Sequence, residues 1–63
     1  MTKKELKRLA LKIAKAEQQR QRASTKEEVR SAEAEIIKLT GLVDSIEDMV
    51  FIDEYIQENY LTN

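Results

Sequence analysis

Carboxylates crowd the second half of this chain: Asp44, Glu47, Asp48, Asp53, Glu54 and Glu58. With no histidine and no cysteine anywhere, they are the natural candidates for acid–base or metal chemistry. Their spacing does not support it. Glu47/Asp48 and Asp53/Glu54 are sequence neighbours, which lie about 100° apart on a helix and do not face each other. Glu54 and Glu58 share a side, but that spacing occurs on any acidic helix. A carboxylate-bridged di-metal bundle normally also draws on histidine. A single glycine rules out a glycine-rich phosphate loop, and no nucleophile–base set is present. The expectation is a non-enzymatic protein with no cofactor and no metal.

The other half of the charge is basic. Residues 1–31 hold ten Lys/Arg and four Asp/Glu, a net +6, whereas residues 32–63 hold one basic and eight acidic residues, a net −7. Lys4, Arg8, Lys12, Lys15 and Arg22 follow at helical spacings and form a ridge opposite Leu6, Leu9 and Ile13. Such a ridge can track a phosphate backbone, which makes an RNA- or DNA-binding regulator the alternative reading. Against it stand the overall charge of −1 and the lack of any aromatic residue in the basic half to stack on bases. The favoured role is a solvated face, or electrostatic matching to the acidic half within or between chains. Docking of the acidic half to a basic partner, and of the basic helix to an anionic membrane surface, are weaker readings.

The elements that carry these charges are helices. Proline and tryptophan are absent, and Ala, Leu, Ile, Glu, Lys, Gln and Arg dominate, which favours helix. Thr2-Lys3-Lys4-Glu5 is a capping-box start, followed by Leu6, Leu9, Ala10, Ile13 and Ala16 at helical spacing. The apolar pattern stops after Ala16, and the first helix is expected over about 2–22. Ser24-Thr25-Lys26-Glu27-Glu28 offers a second start, capped by Ser24 with Glu27 or Thr25 with Glu28. A continuous helix through 23–25 is the alternative, because no Gly or Pro marks the turn.

From there Val29, Ala32, Ile36, Leu39, Val43, Ile46 and Val50 recur in alternating steps of three and four, as in a coiled-coil seam. Gly41, after Lys38-Leu39-Thr40, is where a helix ordinarily ends, and Asp44-Ser45-Ile46-Glu47 can cap a third helix. The unbroken phase across Gly41 favours one helix over about 25–60, with Gly41 as its point of bending. Asp53 occupies the next seam position after Val50. A carboxylate there needs a solvated bundle end or a basic partner, and it could also set register between chains.

Toward the C-terminus the apolar surface widens. Met49, Val50, Ile52, Ile56 and Tyr60 extend one side while Phe51 and Tyr55 point away from it. A helix apolar on several sides needs several neighbours, more than a 63-residue chain is expected to supply. Helices of about 21 and 35 residues span about 32 and 52 Å, so the first cannot cover the second. The expectation is therefore an all-α, single-domain antiparallel helical hairpin (1–63) that assembles into a homo-oligomeric, coiled-coil-like bundle, a dimer giving four helices. Val43, Ile46, Met49, Val50, Phe51, Ile52, Tyr55 and Ile56 would form its interface. This architecture resembles the plasmid copy-control RNA-binding bundles of the Rop type, which are dimers of helical hairpins. The resemblance is one of architecture and carries no functional residues across. The function expected is that of a small regulatory or adaptor protein acting through protein–protein contacts, with itself and with a host or regulatory protein as partners. No apolar run approaches the ~18 residues of a membrane span and the N-terminus has no secretory pattern, so the cytoplasm is the expected location.

Overall fold

Thr2 opens the first helix. In the computed structural model, which describes residues 1–61, the Glu5 backbone N–H donates to the Thr2 hydroxyl at 3.2 Å and the Thr2 N–H donates to the Glu5 carboxylate at 3.1 Å. This complete capping box starts α1, Lys3–Arg22. It satisfies two of the amides that a helix start leaves without partners. The Thr2 hydroxyl also donates to the same carboxylate at 3.1 Å. These bonds, led by the backbone one, hold the Glu5 carboxyl below its ordinary 4.5, and the N-terminal ammonium and Arg8 add a smaller pull. α1 ends where Ala23 turns extended, at φ −64° and ψ 135°.

Of the two caps proposed for the second helix, Thr25 is the one used. Its hydroxyl accepts from the Glu28 N–H at 3.2 Å, while the Glu28 carboxylate reaches past it to the Ser24 N–H at 3.2 Å. α2 then runs over Lys26–Thr40. It packs back along α1, so that Arg22 and Glu28 share one groove near the turn, and Lys12, Lys15 and Glu35 another farther from it.

The single helix expected over 25–60 is not formed. α2 stops at Thr40 and α3, Ile46–Ile56, begins after a loop at 41–45. A π-helical turn, Gln57–Leu61, follows it. The exit from α2 is a tapering turn, with the Leu42 N–H donating to Leu39 O and the Val43 N–H to Thr40 O, both at 3.2 Å. Gly41 sits in the right-handed helical region at φ −66° and ψ −15°, so the turn does not depend on a left-handed glycine. The decisive local device is Ser45, extended at φ −124°, whose hydroxyl accepts from the Asp48 N–H at 3.1 Å. Asp44-Ser45 prefers such a cap to a helix interior.

The loop changes which side of the third segment faces inward. The seam holds through Ala32, Leu39 and partly buried Val43, but Ile46 is 83% and Val50 47% exposed. Ile52 (0%) and Ile56 (4%) are buried in their place. Ile52 lies two residues beyond Val50, about 200° around a helix at 100° per residue. α3 thereby folds onto α1, and α1 lies against both other helices.

Leu6, Leu9, Ala10, Ile13 and Ala14 of α1 form one core with Leu39, Ile52 and Ile56. Ala10, at 0% exposure, has no bulk to hold its neighbours apart. The expectation that one chain could not cover Ile52 and Ile56 is thus corrected, because three short helices enclose what two unequal ones could not. The enclosure is shallow. The molecule measures 35 × 27 × 16 Å, and among the described residues Ile52 is the one large side chain that is fully buried.

Candidate interaction surface

Two exposed helix faces carry the residues singled out by sequence. On α1, Lys4, Arg8, Lys12, Lys15 and Arg22 are all exposed. They stand opposite buried Leu6, Leu9, Ala10 and Ile13, so the ridge points away from the core. Lys12 and Lys15 line a groove with Ala16, Gln19, Ser31 and Glu35, and Arg22 lines the adjoining one with Gln19 and Glu28. That arrangement places two α2 carboxylates along one flank of the ridge. Lys4, Lys12, Lys15 and Arg22 nevertheless have no ion-pair partner among the described residues. Lys7, beside the ridge, is engaged differently: its ammonium lies 5.9 Å from the centre of the Tyr55 ring, within cation–π range.

The second face belongs to α3. Its outward residues are Ile46, Glu47, Val50, Asp53 and Glu54, all exposed. Asp53 is therefore a solvated carboxylate in this chain. The eight residues expected to form an interface divide three ways. Ile52 and Ile56 are core. Val43, Met49, Phe51 and Tyr55 are half-buried, and Phe51 and Tyr55 stack at 6.2 Å between ring centres while Tyr55 meets Tyr60 edge-on at 6.1 Å. Ile46 and Val50 remain uncovered. The structure adds two residues that the periodicity passed over, Ile37 at 70% and Leu42 at 52% exposure. Ile36-Ile37 was the available signal, since adjacent residues cannot both occupy one helix face.

No buried residue is polar or charged among those described, and no buried side-chain nitrogen or oxygen lacks a partner. No group of three or more acidic side chains among the described residues is placed to hold a metal ion. An open groove of about 410 Å³ at the α1–α2 turn is lined by Ala23, Ser24, Thr25, Lys26, Val29, Arg30 and Glu33. Among the described residues no helix is long and apolar enough to cross a membrane. Comparison with known proteins yields no match among family models, curated sequences or solved structures.

Proposed function

We propose that this chain is a non-enzymatic helical interaction module of the regulatory or adaptor kind, which associates with copies of itself. The observation that carries the reading is the exposure of Ile46 at 83%, with Val50, Leu42 and Ile37 at 47%, 52% and 70%. Single exposed apolar residues are ordinary. Four large ones on the α2 C-terminal turn, the following loop and the start of α3 are a concentration that a small domain gains by burying in a contact. The absence of histidine and cysteine supports the non-catalytic part of the reading.

Light scattering across protein concentration tests it. The mass should rise with concentration, and Ile46→Glu with Val50→Glu should hold the chain at monomer mass without loss of helix. A wild-type monomer at every concentration up to about 1 mM, the range in which weak contacts still register, would remove the self-association reading.

One observation favours a second reading. Lys4, Arg8, Lys12 and Lys15 line the outward side of α1 with one exposed carboxylate between them, Glu5, which is bonded to Thr2, and such a basic row suits a nucleic-acid backbone. That reading requires retention on single-stranded RNA or duplex DNA that weakens steeply with salt.

A further inference from the structure

The two exposed faces are complementary to each other and cannot meet within one chain. At 100° per residue, Lys4, Arg8, Leu11 and Lys15 fall within about 60° on the outward side of α1, with Lys12 beside them. All are exposed, and Leu11 at 36% is the apolar member. On α3, Ile46, Val50 and Asp53 fall within a similar arc, and Glu47 and Glu54 adjoin them. The lengths agree as well: the eleven residues of α3 and the stretch from Lys4 to Lys15 each rise about 16 Å. α3 already buries Ile52 and Ile56, on another side, in the core with its own α1. Its acidic face therefore looks outward, and only another molecule can reach it.

We propose that the acidic, apolar-centred face of α3 docks on the basic outward face of α1 of a second copy, head to tail. This deepens the self-association reading and rests on it. A symmetric contact of α3 against α3 would set Glu47, Asp53 and Glu54 against their own copies, and like charges brought together oppose association. The heterologous contact sets them against Lys4, Arg8, Lys12 and Lys15, and lays Ile46 and Val50 on Leu11 and the alkyl stems of the lysines. Glu47, Asp53 and Glu54, like Lys4, Lys12 and Lys15, have no ion-pair partner among the described residues, so docking breaks no existing pair. A head-to-tail contact leaves both faces open at the ends of the assembly. It grows into longer species or closes as a ring instead of stopping at a dimer.

The test exchanges the charges. One variant carries Arg8→Glu and Lys12→Glu, the other Asp53→Lys and Glu54→Lys; all four sites are exposed, and helical circular dichroism checks that both variants fold. Sedimentation velocity should show wild type associating at about 50 mM salt and weakening at least about tenfold by about 500 mM. Each variant alone should stay monomeric, and an equimolar mixture should associate, because every contact in it again pairs opposite charges. Association that persists in high salt and in both separate variants overturns the head-to-tail contact while leaving self-association standing. A mixture that stays monomeric overturns it too. Wild type that is monomeric at all salts removes both, and if such a monomer binds single-stranded RNA with a steep salt dependence, the basic face belongs to nucleic acid.

Discussion

Replacing Ile52 with alanine and, separately, Ile46 with alanine decides whether α3 folds onto α1 as described. Ile52 is fully buried among Leu6, Leu9, Ala10, Ile13, Leu39 and Ile56. The alanine removes three carbons, worth about 2.4 kcal/mol at roughly 0.8 kcal/mol each. Imperfect collapse of the resulting cavity carries the expected loss into the range of about 2–5 kcal/mol. A domain of this size holds about 3–9 kcal/mol in total, so I52A should lose a large share of its stability, about half at the middle of both ranges. Ile46 is 83% exposed, and I46A should stay within about 0.5 kcal/mol of wild type. Urea unfolding followed by helical circular dichroism, at a concentration where the protein is monomeric, reads both. With a slope of about 1 kcal/mol/M, the I52A midpoint should fall by about 2 M or more and that of I46A should scarcely move. The opposite ranking, I46A costly and I52A mild, would refute the packing and restore a continuous helix with its seam through Ile46 and Val50.

Ser45→Ala gives a test by sign. As the cap of α3 the serine should be missed by about 1 kcal/mol, whereas inside an unbroken helix alanine would stabilise by up to about 0.7 kcal/mol. Gly41→Ala should change stability by less than about 1 kcal/mol: the reduced freedom of the unfolded chain gains about 0.4–1 kcal/mol, and a Cβ only 3.3 Å from Ile37 O offsets part of that. A loss above about 2 kcal/mol would show that the turn needs glycine after all. The Glu5 carboxyl is depressed in the folded chain, so the folded state binds this proton less readily than the unfolded one. Its contribution is present above the unfolded value near 4.5 and is lost as pH falls through the lower folded value. Urea midpoints of wild type should therefore drop over that acidic window more than those of Thr2→Val with Glu5→Gln, and parallel pH curves would refute the linkage.

All-helical structure was legible from residue types alone. Composition and three polar caps are local properties, and Thr2 and Thr25 do in the structure what their spacing to Glu5 and Glu28 requires. The basic ridge was legible for the same reason: its position follows from its phase against Leu6, Leu9 and Ile13, and that phase is internal to one helix. The break at 41–45 was not. There the local preferences nearly cancel, since a mid-helix Gly41 costs only about 1 kcal/mol and the Ser45 cap returns about as much. Burial tips the balance, because covering an isoleucine is worth about 1.5–3 kcal/mol and the loop allows two, Ile52 and Ile56, to reach α1. The heptad spacing from Leu39 to Val50 carried no sign of this, as period records a face but not what lies opposite it. Which isoleucines face water is settled by where α1 stands, a contact between residues some forty positions apart.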